Sequence, residues 1–186
     1  MKWIGERVSF VDDKNKLTVV IYPPNIGYKH KLLVFWSILW LAVGAYVTSQ
    51  LFYVTTQKEQ ITLIIFLSFW LYFAVRVGRT LSYLTWGREF LKIDKQGLTI
   101  KFGTGKYGKS RRYFLENLQR FDVIAIKETS FQAIYESSPW VKGSNRMCFE
   151  YQGKTYSFGK KLNEKDTGLL YKLMLKRIEQ FIRQKE

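Results

Sequence analysis

Two long apolar runs in the first half of the chain are its strongest pattern. Residues 32–56 carry no charge, and about 20 such residues in a helix cross the ~30 Å hydrocarbon layer of a bilayer. The second run, 61–75, is shorter. Its helix reaches a full span only if it continues to about residue 84, with flanking arginines extending towards the lipid headgroups. The pattern predicts two transmembrane helices, about 32–56 and 60–84, in a segment 29–86.

Basic residues flank the two predicted spans on one side. Two lysines precede the first span, and Arg76, Arg79 and Arg88 end or follow the second, whereas the connecting loop carries one lysine and one glutamate. Because cytoplasmic flanks of membrane helices are enriched in Lys and Arg, we expect both termini to be cytoplasmic. We expect Arg76, Arg79, Trp86 and Arg88 to be anchors at the membrane interface. Alternatively, Arg76 and Arg79, one helical turn apart, grip a lipid phosphate or a partner's carboxylate.

Short segments that alternate between apolar and polar residues begin directly after the second predicted span. The first two, 90–94 and 98–102, flank a turn at Gly97, which is the pattern of a β-hairpin. Five more strand-like segments follow with short connections: 112–115, 121–126, 131–135, 147–151 and 155–158. About seven strands in this space predict a small antiparallel sheet or an open barrel.

The final segment, 164–184, changes to a helical period. Asn163 is a suitable N-cap, and an apolar stripe runs along one side of the helix, so the segment is amphipathic. One such helix after seven strands is the element order of a pleckstrin-homology-like (PH-like) domain. The sequence therefore predicts an α+β membrane protein, in which a two-helix transmembrane hairpin is followed by a PH-like antiparallel β-sheet domain, 87–186, capped by the C-terminal amphipathic helix and lying in the cytoplasm.

The N-terminal segment 1–28 is expected to form a separate β-hairpin. Residues 7–11 and 17–22 flank a polar turn, and two prolines close the segment before the first span. Asp12 and Asp13 form a carboxylate pair, but turn formation accounts for both. This hairpin is placed to dock on the main domain at the membrane surface.

Charge adds a candidate binding surface. The chain has 30 Lys and Arg against 15 Asp and Glu, an excess that fits anionic partners or simply the cytoplasmic flanks of membrane spans. No acidic residue interrupts the stretch from 101 to 112, which forms the tip and flanks of a predicted hairpin. Its basic residues are the candidates for binding anionic phospholipid or an acidic partner, with non-specific tethering as the alternative: Lys101, Lys106, Lys109, Arg111 and Arg112. We do not expect nucleic acid as a partner, because the nearby aromatic residues fit strand positions.

Little in the sequence indicates a catalytic, cofactor-binding or metal-binding site. The single cysteine, Cys148, excludes an intramolecular disulfide, and the single histidine, His30, leaves no histidine cluster. No nucleotide-binding, zinc-protease or hydrolase motif is present. We predict no catalytic residues, no cofactor and no metal. Trp140, on a loop rich in Ser, Pro and Gly, suits contact with a protein partner and equally suits folding back on its own sheet.

Three short motifs carry a resemblance. Gly87-Arg88-Glu89, Gly97–Ile100 and Phe158-Gly159 with Leu162 resemble uncharacterised bacterial two-span membrane proteins with a PH-like cytoplasmic domain. The stretch 108–115 is similar to one in the photosystem I assembly factor family, whose members are also two-span. The resemblance implies an accessory, assembly or scaffolding subunit of an integral membrane protein complex in the bacterial inner membrane. The alternatives are a sensor of anionic lipid acting through 101–112 and, third, a small membrane enzyme.

Overall fold

Two long helices dominate the first half of the chain. The computed structural model describes residues 1–104, 108–126 and 130–184. Helix α1 spans Tyr28–Gln50 and helix α2 spans Gln57–Trp86, close to the predicted spans. Both are long and apolar enough, by length and composition, to cross a membrane. Only 11% and 6% of their most apolar windows are buried by the rest of the chain, so they lack the cover that a core helix of a soluble protein has.

The two helices pack through a glycine and a pair of tryptophans. Gly44 of α1 is buried, and a Cβ there would collide with the indole of Trp70 on α2. The Trp70 indole N–H donates a hydrogen bond to the carbonyl oxygen of Trp40 (2.8 Å). Small residues allow such a close approach of apolar helices, so Gly44 fixes where α1 and α2 meet.

Nine strands form two antiparallel sheets in the described part of the chain. The first sheet has six strands in sequence order: β1 (Lys2–Ile4), β2 (Val8–Asp13), β3 (Lys16–Ile21), β4 (Gly87–Asp94), β5 (Gly97–Thr104) and β6 (Ser110–Tyr113). The second sheet has three, also in sequence order: β7 (Leu118–Val123), β8 (Asn145–Tyr151) and β9 (Lys154–Lys160). With the helices α3 (Phe131–Ser137) and α4 (Glu164–Arg183), this makes an α+β fold.

In the chain, the helix pair lies between two strands that are neighbours in the first sheet. Strands β3 and β4 pair antiparallel, from Lys16 opposite Asp94 to Ile21 opposite Glu89, although both long helices lie between them in the chain. Helix α2 ends at Trp86 and β4 begins at the next residue, Gly87, where a Cβ would collide with Tyr83. The N-terminal hairpin therefore forms as predicted but is not separate, because it continues the main sheet.

The core lies between the two sheets and α4. Alternate residues of the strands point inwards, as a period of two requires, and they include Leu17 of β3 and Leu91 of β4. Phe149 and Phe158 enter from the second sheet. The predicted C-terminal helix is confirmed: the Asn163 side chain accepts a hydrogen bond from the Asp166 N–H (2.7 Å). Its apolar stripe, Leu170, Met174, Ile178 and Phe181, is buried in this core.

One predicted strand is wrong. Residues 131–135 begin helix α3 instead, so six strands rather than about seven follow the long helices in the described residues. The Ser130 hydroxyl accepts a hydrogen bond from the Ala133 N–H (3.2 Å) and caps the helix. Phe131, Ile134 and Tyr135 have helical spacing, but the same short stretch also reads as a strand, because its alternate residues Phe131, Ala133 and Tyr135 are apolar.

Candidate functional site at the helix–sheet junction

A buried carboxylate ties the two sheets together next to the end of α2. Glu89, two residues into β4, is 3% exposed. Its two oxygens accept hydrogen bonds from the backbone N–H groups of Gly159 (2.7 Å) and Lys160 (2.9 Å) at the end of β9. Hydrogen bonds to a carboxylate are stronger than those between neutral groups. The contact therefore holds the end of the second sheet against the strand that leaves α2.

Arg7 holds the same end of β9 from the other side. Its guanidinium donates to the carbonyl oxygens of Lys160 (3.1 Å) and Lys161 and to that of Tyr22 (3.0 Å), just before α1. Burial lowers the pKa of Arg7, while the charge on nearby Glu89 opposes that shift. The N-terminal hairpin, at Arg7 and Tyr22, and the end of the second sheet thus meet at one arginine.

The loop after α3 joins the domain to both long helices. The ring of Trp140 packs edge-on against Trp36 of α1, with centroids 4.5 Å apart, and its carbonyl oxygen accepts a hydrogen bond from the Thr80 hydroxyl of α2 (3.3 Å). The Lys161 ammonium group donates to the carbonyl oxygens of Ser138 (3.0 Å) and Val141. Trp140 therefore folds back onto the helix pair rather than onto its own sheet.

A buried ion pair anchors this loop from within the domain. Glu136 of α3 lies 3.3 Å from the Arg146 guanidinium and accepts hydrogen bonds from Ser144 (2.6 Å) and Gln132 (3.2 Å). Burial favours the neutral acid, but these hydrogen bonds and the charge of Arg146 outweigh it and lower the pKa of Glu136. The polar side of α3 thus faces the domain.

A groove of about 700 Å³ runs between α2 and this loop. One end is apolar and is lined by Leu71 and Val75, and the other is cationic, with Arg79 and Lys142. Arg76 also lines the groove, and its guanidinium donates to the hydroxyls of Tyr72 (2.9 Å) and of Tyr135 on α3. The groove therefore changes from apolar to cationic as α2 approaches the sheet.

A second cavity, of about 380 Å³, continues past the end of the groove. Four basic side chains and one acidic side chain line it: Arg79, Arg88, Lys142, Lys160 and Glu89. The Lys142 and Lys160 ammonium groups lie 5.4 and 5.7 Å from the centroid of the Tyr83 ring. Burial, together with the neighbouring charge of Lys142, lowers the pKa of Lys160, while Glu89 opposes the shift.

None of these four basic side chains has an ion-pair partner within 4 Å among the described residues. Two of them, Arg79 and Arg88, are predicted anchors, and the guanidinium of Arg88 also lies over the ring of Tyr22 (5.3 Å). Trp86 is 58% exposed and lines neither cavity. Sequence reasoning missed Lys142 and Lys160, because only the tertiary packing of the loop after α3 and of the end of β9 brings them there.

The predicted basic hairpin does not present one surface. Lys106 lies outside the described residues. Arg111 pairs with Ile100, which is on the buried face of β5, whereas Arg112 pairs with Thr99 and so points to the opposite face. Arg112 is also engaged, because it donates to the Gln96 side chain (2.8 Å) and lies 3.7 Å from the Asp94 carboxylate.

The remaining predicted residues of this hairpin lie along the edge of the first sheet. Lys101 is opposite Ser110 in the β5–β6 pair. Lys109 lines a small cavity of about 300 Å³ together with Arg111, Ile100 and Tyr156. Lys109 and Arg111 are thus close to each other. They do not line the cationic cavity beside α2, although Phe102 lines both cavities.

The fold and site define an α+β protein in which an apolar helix pair connects the two central strands, β3 and β4, of the larger sheet. No protein-family model, curated protein or solved structure matches the chain. In the part of the chain that the structure describes, no three His, Cys, Asp or Glu side chains group as a metal site would require. Cys148 is partly buried in β8, and burial raises the pKa of its thiol.

Proposed function

We propose that the protein is a two-span integral membrane protein of the bacterial inner membrane that acts as a non-catalytic accessory, assembly or scaffolding subunit. Both termini and the sheet domain lie on the cytoplasmic side. The observation that carries this proposal is the locked junction at Glu89, Arg7 and Trp140. A scaffold must hold its domain at a fixed orientation over the membrane, whereas a flexible tether needs no such contacts.

Membrane insertion is supported by the exposed apolar surface of the helix pair. Large side chains point away from the chain's own packing on both helices, including Phe35, Ile38, Leu41, Ile65 and Phe69. An apolar surface of this extent must be covered by lipid or by another apolar protein surface. The basic residues at the domain end of α2 support the cytoplasmic orientation of that end.

The architecture of the domain also supports a PH-like assignment for 87–186. Two antiparallel sheets are closed by the amphipathic helix α4, which is the arrangement of a PH-like domain. As far as the structure describes it, the segment 87–186 holds six of the seven strands of that plan. Strand β3 pairs with β4 and supplies the seventh, and β1 and β2 enlarge the first sheet beyond it. We propose that they are an addition that clamps the domain to the start of α1.

Site-specific photo-crosslinking in native membranes tests the accessory role. A photoreactive residue at Ile38 or Ile65, both on the exposed surface of the helices, should capture one or a few integral membrane proteins in stoichiometric yield. A matched probe at Lys154, exposed in the sheet domain, controls for random encounter. Capture of lipid alone from both helix positions would overturn the accessory role. Release of the protein from membranes by alkaline carbonate would overturn insertion itself.

A second candidate function is recognition of anionic lipid. The cationic cavity beside α2 favours it, rather than the hairpin 101–112 from which the sequence predicted it. The cavity gathers Arg79, Arg88, Lys142 and Lys160 at the end of an apolar helix. Basic groups near a membrane surface attract anionic lipid by about 1 kcal/mol each.

A further inference from the structure

The groove and the cavity beside α2 form one continuous path. Both are lined by Arg79 and Lys142. The α2 residues that line them, from Ser68 through Leu71, Val75 and Arg79 to Tyr83, follow the three- and four-residue spacing of a single helix face. A ligand that enters the cavity can therefore extend along α2 without crossing a ridge of the protein.

The two ends of this path differ in chemistry. At the sheet end, four basic side chains surround the cavity, and the one acidic side chain, Glu89, already accepts a backbone hydrogen bond at each oxygen. Two like charges, Lys142 and Lys160, are held over one Tyr83 ring with no carboxylate in ion-pair contact among the described residues. Such an arrangement is stabilised by a bound anion.

At the other end, the path is apolar. Leu71 lies eight residues before Arg79 on the same helix, which places it about 12 Å deeper along the axis at 1.5 Å per residue. In a membrane with the sheet domain in the cytoplasm, Arg79 is then at headgroup level and Leu71 and Val75 lie among the acyl chains. A soluble phosphate compound would use the cationic end only, whereas an amphiphile would use both.

We propose that this path binds one anionic phospholipid. Its phosphate lies among Arg79, Lys142 and Lys160, and one acyl chain follows α2 past Val75 and Leu71. The proposal rests on the membrane insertion and the anionic-lipid recognition proposed above, and it adds the stoichiometry of one lipid and the course of its acyl chain along α2. Arg76, held by Tyr72 and Tyr135, forms the rim where headgroup and chain regions meet.

Native mass spectrometry of the full chain in mild detergent tests this site, with phosphatidylglycerol or phosphatidylcholine added as the probe. The wild type should retain one phosphatidylglycerol in preference to phosphatidylcholine. The double variant Arg79→Gln/Lys142→Gln should bind phosphatidylglycerol roughly 30-fold more weakly, from the loss of two basic contacts. The matched control Lys14→Gln/Lys16→Gln removes the same charge at exposed positions. Lys16 is opposite Asp94, at the end of β4 that is remote from Gly87 and the cavity, so this control should stay within about twofold of the wild type.

A second variant blocks the site without changing its charge. Gly78 lines the cavity, and a Cβ there would meet nothing within 4 Å. Gly78→Leu therefore introduces an apolar side chain at the cavity wall from an unobstructed Cβ position. It also favours the helix by somewhat under 1 kcal/mol by propensity, a gain of about fourfold in helix formation. We expect it to prevent retention of phosphatidylglycerol while the protein remains folded and membrane-inserted.

The outcomes separate the possible sources of binding. Equal losses in the site variant and the control would overturn the proposal, because binding would then follow net charge alone. Unchanged binding in Gly78→Leu would also overturn it. Displacement of the lipid by glycerol 3-phosphate at a similar concentration would overturn the lipid assignment and leave a soluble phosphate as ligand. Because carbonate resistance is measured separately on the wild type, a failure of membrane insertion is distinguishable from a failure of this site.

Discussion

Trp140 lies edge-on against Trp36, with ring centroids 4.5 Å apart and ring planes at 72°. Trp36 belongs to the first long helix and also stacks on Trp40, one turn further along it (5.0 Å). Trp140 belongs to the loop that follows α3. Because aromatic edge-to-face packing adds to the burial of the rings themselves, this contact joins the sheet domain to α1.

Replacing the ring of Trp140 should loosen the domain from the helix pair. We expect Trp140→Ala to lower the free energy of unfolding by about 2 kcal/mol, less than for a fully buried tryptophan because this ring is only partly covered. Denaturant unfolding of the purified protein in detergent measures this change in the free energy of unfolding. Trp86→Ala is the control, because Trp86 is 58% exposed. Equal destabilisation by the two variants would contradict the role assigned to Trp140.

Replacing the Glu89 carboxylate tests whether this side chain holds β9 against β4. Glu89→Gln keeps the shape but places an amide N–H₂ group where the structure needs an acceptor for the Gly159 or Lys160 N–H. We expect a loss of about 2 kcal/mol and faster amide hydrogen exchange in 154–160. Glu179→Gln, on the exposed side of α4, removes one charge elsewhere and should change neither quantity. Exchange in 154–160 that stays at the wild-type rate would show that another contact holds β9.

Much of this fold could be predicted from local patterns. The two apolar helices, the β4–β5 hairpin and the Asn163-capped helix each depend on residues near one another in sequence, where periodicity and capping act directly. The β8–β9 turn at Gln152-Gly153 has positive φ at both residues (51° and 72°), as a two-residue hairpin turn requires. Such signals need no tertiary information.

The junction could not be predicted in the same way. Strand β3 pairs with β4 across the whole helix pair, and no local pattern encodes that pairing. Lys142, in the loop after α3, and Lys160, at the end of β9, reach the cavity of Arg79 only through tertiary packing. The short stretch at 131–135 satisfied the periods of both strand and helix, and the Ser130 cap with the buried Glu136 decided between them.

The buried Glu136–Arg146 pair should make the loop after α3 sensitive to acid. The pKa of Glu136 is below its ordinary value of 4.5 in the folded protein. Its contribution to stability is therefore fully present above about pH 4.5 and is lost as the pH falls through the lower, folded-state pKa. Hydrogen exchange in 131–146, followed from neutral pH downwards, should show this segment opening in that acidic range.

Two variants isolate the pair. Glu136→Gln should remove the acid-dependent opening, since the titrating group is gone. Arg146→Met should cost about 2 to 4 kcal/mol at neutral pH, because it leaves the Glu136 carboxylate buried without its cation. The control is Glu150→Gln, whose partner Arg120 is exposed, so that the change should be within about 1 kcal/mol. An acid response that survives in Glu136→Gln would assign it to a different carboxylate.

Helix α3 has its polar side inwards and its apolar side outwards, the reverse of an ordinary surface helix. Glu136 is buried and faces the domain through its pair with Arg146, while Phe131 is 82% exposed. Tyr135 touches Arg76 on α2, which places α3 beside the end of the proposed span. Burying a phenylalanine in lipid contributes about 2 kcal/mol, so we expect this face to rest in the headgroup layer.

An environment-sensitive fluorophore at residue 131 tests that position. In a Cys148→Ser background, Phe131→Cys labelled with a nitrobenzoxadiazole group should emit at shorter wavelength in vesicles than in water and be quenched by a quencher carried on the lipid. Lys172→Cys, exposed on α4, is the control and should emit as in water. Because α3 is tied to the domain by Glu136 and to α2 by Tyr135, quenching at residue 131 would place the loop of Trp140 at the membrane surface as well. Emission identical at the two positions would instead place α3 in solvent, and the exposed face would then need a protein to cover it.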